Sequence, residues 1–142
     1  PIPTTDGHVN GTWSATVRNL MRKCFSLSAA EVGNGGSDGT AFPYLSTQAN
    51  RIAYQDETTT AVIWWLRSPN SSDNYDAYFV YADGSVRNGY VYYGDGCARP
   101  ALALSSEILV SDSADSSGCY TIASAPAGEE YQKVNGVWMR MC

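Results

Sequence analysis

The side chains able to do covalent or metal chemistry are few, and their spacing is poor for it. His8 is the only histidine and lies in a polar stretch punctuated by Pro1, Pro3, Gly7 and Gly11, read as an extended leader. A Ser-His-Asp or Cys-His arrangement would have to recruit it from there. The carboxylates Asp73, Asp76, Asp83 and Asp95 all fall in turn-type sequence, where aspartate stabilises the turn through its own backbone. Calcium would require a closely spaced Asp-x-Asp-x-Asp-Gly run, which is absent. Cys24, Cys97, Cys119 and Cys142 are far apart and contain no C-x-x-C pair, so no zinc site is read. Cys24, in the stretch Cys24-Phe25-Ser26-Leu27, reads as a small buried hydrophobe. Cys119 and Cys142 are candidates for a disulfide whose pairing the spacing leaves open. No phosphate loop, GxGxxG or HExxH occurs. The sequence points to no catalytic residue, no metal and no cofactor, and the chain is read as a non-enzyme.

Chemistry of another kind is concentrated between residues 70 and 97. Six of the ten tyrosines lie there, among serines, asparagines, aspartates and glycines. This is the composition of an antibody-like contact surface, in which tyrosine supplies stiff amphipathic area and Ser, Asn and Gly supply adaptable hydrogen bonds. The candidate ligand-binding residues are Asn70, Asp73, Asn74, Tyr75, Tyr78, Tyr81, Arg87, Asn88, Tyr90, Tyr92, Tyr93 and Asp95. Strand alternation places Phe79 and Tyr81 on one face and Tyr78 and Val80 on the other. By the same rule Tyr90 and Tyr92 share a face, with Val91 and Tyr93 opposite. Half-buried strand tyrosines are common in any antiparallel sheet, and composition alone does not separate that reading from display.

The elements that must hold such a surface flank it. Ala61-Val62-Ile63-Trp64-Trp65-Leu66 is a short β-branched and aromatic run, read as a strand buried on both faces. Pro69 ends it, since proline cannot donate to a ladder and restricts the residue before it. Arg67 then lies at the edge of the apolar run and needs a carboxylate or several carbonyls for its donors. Arg99-Pro100-Ala101-Leu102-Ala103-Leu104 announces a second strand in the same way. Trp64, Trp65, Leu66, Arg67 and Arg99 are accordingly assigned to the scaffold.

Upstream, Trp13, Val17, Leu20 and Met21 fall at i, i+4, i+7 and i+8, which suits an amphipathic helix over 12–21. Lys23 to Leu27 reads as a strand, Ser28 to Gly33 as a helical turn stopped by glycine, 33–41 as a loop, and Ser46 to Tyr54 as a further short helix. Gln55 to Thr60 is a polar connection. Asp83-Gly84 is the strongest short-range hairpin signal, and Glu107 to Val110 extends the sheet edge. Residues 111–118 have linker composition. Cys119 to Cys142, with an Asn135-Gly136 turn, reads as a small β segment too small to be stable alone. Helices followed by short strands argue for an α+β domain with a central antiparallel sheet. The expected division is a leader and helix over 1–21, a domain over 22–110, and a linker with a small β segment over 111–142.

The bulk properties agree with a binding role. A chain of 142 residues with 44% hydrophobic and 16% charged residues has the length for one domain with a real core. Its net charge of -5 argues against nucleic acid or an anionic membrane as partner. No apolar run reaches bilayer-spanning length. The opening proline suggests a fragment or a processed chain.

One further pattern concerns the gene. Residues 70–97 contain no Lys, Glu, Gln, Met or Trp, and every residue type present has a codon ending in C or T. Repeated randomisation of Asn codons at their first two bases would leave that residue set. The motifs Lys23-Cys24-Phe25-Ser26-Leu27-Ser28, Glu31-Val32-Gly33, Arg51-Ile52-Ala53-Tyr54, Trp64-Trp65-Leu66-Arg67-Ser68-Pro69, Asp83-Gly84 and Ala98-Arg99-Pro100-Ala101-Leu102 occur in that order over about residues 22–110. Together they resemble the uncharacterised "WWLRSP" domain family of gut bacteria and their phages. That resemblance implies a C-type-lectin-like domain with short N-terminal helices. It also implies a ligand-binding surface diversified by a retroelement that mutates adenines while the scaffold is kept. Cys97 departs from the pattern, which has glycine and then a branched aliphatic before Ala98-Arg99, and the tail from Tyr120 lies outside it. The implied role is phage receptor binding or bacterial surface recognition, on a virion or cell surface, with a protein or glycan of a target cell as partner. Homo-oligomerisation or a place in a larger assembly accompanies that role. The alternatives are a structural decoration domain and a fixed carbohydrate-binding module.

Overall fold

The chain is built from short antiparallel strands. A computed structural model describes residues 1–55, 59–104, 109–111, 113–116, 120–123, 131–134 and 137–140. In order, the strands are β1 (Ile2–Val9), β2 (Thr12–Leu20), β3 (Cys24–Ser26), β4 (Ala53–Tyr54), β5 (Ala61–Val62), β6 (Trp64–Pro69), β7 (Asp76–Val80) and β8 (Val86–Tyr90). They continue as β9 (Pro100–Leu102), β10 (Leu109–Val110), β11 (Ile122–Ala123), β12 (Tyr131–Val134) and β13 (Val137–Arg140). Helical geometry among the described residues is limited to two 3-10 turns, Pro43–Ser46 and Gln48–Arg51. The fold is therefore all-β, which corrects the α+β, lectin-like expectation with its N-terminal helices.

The expected helix over 12–21 is strand β2. Asn10 and Gly11 both adopt positive φ, 52° and 78°, the geometry of a tight hairpin turn. They bring β1 and β2 into register from Val9↔Thr12 to Ile2↔Leu20, with one irregularity between Thr5 and Gly7. Thr12, Thr16 and Val17 suit a strand. Val17 and Leu20 are each 40% exposed, so the helix-like apolar spacing was not the stripe of a buried face. Cys24, expected in the core, is exposed and free, because it opens the short β3 at the end of its pairing with Leu102.

Two compact units divide the chain, Pro1–Ala103 and Leu104–Cys142. The supposed leader thus belongs to the first unit. In the second, Leu109↔Ala123 and Val110↔Ile122 pair β10 with β11, and β12 pairs with β13 from Tyr131↔Arg140 to Val134↔Val137. Glu107, the Asn135-Gly136 turn, Cys119 and Cys142 lie outside the described residues, as do 56–58 of the polar connection and part of the linker.

Strand β6 is the axis of the first unit. It pairs with β7, and β7 with β8, in a three-stranded sheet. On its other side the Arg67 N–H donates to Leu27 O at 2.9 Å, and Trp64 bridges Cys97 in parallel. Trp64, Leu66 and Val80 are buried in a core with Leu27, Ala29, Val32 and Leu45. Trp65 points to the opposite face, half-buried, with its ring 5.4 Å from Phe79. Two glycines shape that face. A Cβ at Gly96 would stand 2.1 Å from the Trp65 indole nitrogen, and one at Gly89 would stand 3.1 Å from Phe79.

Candidate binding site

The frame beneath the tyrosine-rich segment is a polar network around Arg67. Its guanidinium donates to both carboxylate oxygens of Glu31, at 2.6 and 2.9 Å. It also donates to the carbonyls of Pro3 (3.0 and 2.8 Å), Ser26 (2.8 Å) and Asp38 (2.8 Å). The ion pair is almost wholly shielded from solvent. Such a pair persists only when its remaining donors and acceptors are satisfied. Glu31 is held in place by its own turn, accepting the Ser28 N–H at 2.9 Å while its N–H donates to the Ser28 hydroxyl at 3.1 Å. This is the reciprocal capping box of a Ser-x-x-Glu sequence. Gly33 closes the turn at φ 82°. Ser68, facing the same region, accepts the Ala29 N–H at 2.7 Å and donates to the Asp38 carboxylate.

A second arginine locks the hairpin. Arg51 donates to Gly84 O (2.8 Å), Val32 O (2.8 Å) and Leu45 O (3.2 Å). Its own carbonyl accepts from the Trp64 indole at 2.9 Å and from Arg99 at 3.1 Å. Arg99 also lies over the Trp64 ring, 5.0 Å from its centroid. A recess of about 580 Å³ opens beside Arg99 among Tyr54, Val62, Trp64 and Cys97. The described residues that line it include neither carboxylate nor histidine.

Above this frame, the tyrosines gather at one end of the three-stranded sheet. Tyr90 and Tyr92 stack, 5.2 Å apart at 12°, and Tyr93 lies 5.9 Å from Tyr90 and 5.2 Å from Tyr92. All three remain exposed, Tyr92 most at 69%. Strand β8 ends at Tyr90, and the turn that follows brings Tyr93 back to the cluster, so the expected alternation of Tyr92 against Tyr93 does not continue. The Val91 N–H donates to Tyr75 O at 2.9 Å, which joins exposed Tyr75 and the 73–76 loop to the same end. Partial desolvation, with further contributions from Tyr93, Tyr90 and Asp76, pushes the Tyr92 hydroxyl above its ordinary pKa.

The remaining candidates divide. Asn74, Asn88 and Asp95 are exposed and Asp73 is half-buried. Tyr81 and Arg87 form a separate group at the other end of the hairpin, with Arg87 4.0 Å over the Tyr81 ring and 3.1 Å from Asp83. Asn70, expected on the displayed surface, is 3% exposed. Its side chain accepts from the Ser72 N–H and hydroxyl, and its carbonyl accepts from His8 at 3.0 Å. It shapes the loop rather than presenting itself. Tyr78 is half-buried against the core and likewise leaves the surface. Glu31, Asp38, Arg51 and Ser68 were not assigned to the scaffold from sequence. The Ser28-x-x-Glu31 spacing was one signal, and Glu31, Arg51 and Ser68 also fall within the motifs that carry the resemblance.

A family model described as Domain of unknown function (DUF6273) matches residues 1–106. The chain belongs to that family. The matched DUF6273 region takes in the β1–β2 hairpin, the Arg67 network and the tyrosine cluster. No curated protein and no solved structure matches the chain.

Proposed function

We propose that this domain is a recognition module whose tyrosine-rich end contacts a molecule on a target cell, and that this end is diversified by a retroelement. The observation that carries the reading is the exposed Tyr90–Tyr92–Tyr93 cluster above a frame fastened by Arg67, Arg51 and Arg99. Exposed contiguous aromatic surface marks interaction sites, and contact residues on a stiff support change at little cost to the fold. The codon-restricted residue set of 70–97 supports diversification. The role is that of a receptor-binding protein of a phage or a surface-recognition protein of a bacterium, displayed on a virion or cell surface. It involves no catalysis, cofactor, nucleic acid or membrane insertion.

Sequencing the encoding locus tests diversification. The expected finding is a reverse transcriptase beside a near-copy of codons 64–104 that differs from them only at adenines. A locus lacking both leaves the cluster as a fixed contact surface and removes the retroelement from the account.

A further inference from the structure

We infer that the Tyr90–Tyr92–Tyr93 pad takes an arginine side chain from a protein partner. The assignment deepens the recognition role proposed above and rests on it. The chain contains the arrangement already completed once. At the far end of the same hairpin, the Arg87 guanidinium lies 4.0 Å over the Tyr81 ring and 3.1 Å from the Asp83 carboxylate. Ring, carboxylate and guanidinium together make a satisfied unit.

At the pad the rings have the Asp76 carboxylate beside them, and no guanidinium of the described residues completes the set. Asp76 stands directly across from Tyr90 in the ladder. Its Oδ1 is buried and has no hydrogen-bond partner, while Oδ2 has only Asn70 Nδ2 at 3.5 Å. Asp76 thus sets a carboxylate with few donors of its own beside the rings, and a cation seated over Tyr92 would be drawn by that charge without reaching the buried Oδ1. Asp73 lies in the same loop and takes the Tyr75 N–H at 2.8 Å. Asp95 follows Tyr93 by two residues. Among the described residues no lysine or arginine pairs with any of these three carboxylates. Arg87, the one basic residue of 70–97, is already engaged at the other end.

Geometry selects among cations. Ring centroids 5.2 to 5.9 Å apart leave no gap for a quaternary ammonium to enter between rings. The pad offers instead the open face of Tyr92, which suits a planar guanidinium. A neutral sugar would stack there too but would leave the carboxylates unanswered.

The test is an amide chemical-shift titration of the full chain with the blocked peptide Ac-Gly-Arg-Arg-Gly-amide. Its citrulline counterpart keeps the shape and removes the charge, and its lysine counterpart keeps the charge and removes the plane. The arginine peptide is expected to shift amides of 73–76 and 90–95, and to bind about two- to five-fold more tightly than the citrulline peptide, as for an exposed cation–π contact. Tyr92→Ala should abolish the response, Tyr92→Phe should keep it, and Asp76→Asn should weaken it. Equal binding of the citrulline peptide, tighter binding of the lysine peptide, or no shifts at the pad would each overturn the arginine assignment. A null titration together with an adenine-mismatched template would remove this inference and leave diversified recognition standing. Arginine-specific shifts without a template would do the reverse.

Discussion

Arg67 shows why single residues in the frame are not interchangeable. Its donors reach Glu31 and three carbonyls from separate segments, Pro3, Ser26 and Asp38, so one side chain fastens β1, β3 and the 28–38 loop to β6. Replacing either member of a buried pair strands the other charge. Glu31→Gln should therefore lower unfolding free energy by about 3–5 kcal/mol, measured by urea denaturation, and a loss below about 1 kcal/mol would contradict the network's role. That Arg67 needed such partners was legible from its place at the end of an apolar strand. Which carboxylate it would find was not, because Glu31 is 36 residues away and only tertiary packing joins them. Asp83 gives the pH-dependent case. Hydrogen bonds from the Ser85 hydroxyl and N–H, then Arg87, hold its carboxyl below the ordinary value. A depressed folded pKa contributes stability above the unfolded pKa, and that contribution disappears as pH falls through the lowered one. Protection of the hairpin amides against exchange should thus decline on acidification below the ordinary carboxylate range. Asp83→Asn should flatten that decline, and identical profiles for the two proteins would dismiss it.

At the scale of elements, two Asx-Gly turns make the comparison. Gly84 has φ 80° and packs so closely that a Cβ would stand 2.2 Å from Gln48 O, whereas Gly11 has φ 78° with nothing within 4 Å. Gly11→Ala should cost about 1 kcal/mol from backbone strain alone. Gly84→Ala adds overpacking and should cost about 3 kcal/mol. Equal melting temperatures for the two variants would show that the Gln48 contact does not hold the hairpin. Asp83-Gly84 was readable because β-rich sequence flanks it. Asn10-Gly11 carries the same signal, but the spacing of Trp13, Val17, Leu20 and Met21 mimicked a helix, and period alone does not report whether a stripe is buried. That substitution of strand for helix, together with the expected helix over 46–54 being only a 3-10 turn at Gln48–Arg51 followed by strand β4, separates the all-β architecture from the α+β expectation. Strands β6 and β9 overlap the apolar runs that Pro69 and Pro100 punctuate.

For the molecule as a whole, the account rests on a division between frame and surface. The tyrosine-rich segment was legible from composition, since no other stretch concentrates Tyr, Asn, Ser and Asp. The mutual contact of Tyr90, Tyr92 and Tyr93 was not, because it depends on where β8 stops. Nor was the burial of Asn70, whose side chain serves its own loop. The most direct measurement compares two libraries of the intact chain, sorted by resistance to proteolysis. One randomises the exposed positions Asn74, Tyr75, Tyr92, Tyr93 and Asp95, and the other randomises Glu31, Asp38, Arg67 and Ser68. The first should remain mostly folded, with changes within about 0.5 kcal/mol per site, while the second should be depleted of folded members. Equal depletion of both libraries would mean that the tyrosine-rich end is part of the core machinery of the fold, and the separation of frame from contact surface would be wrong.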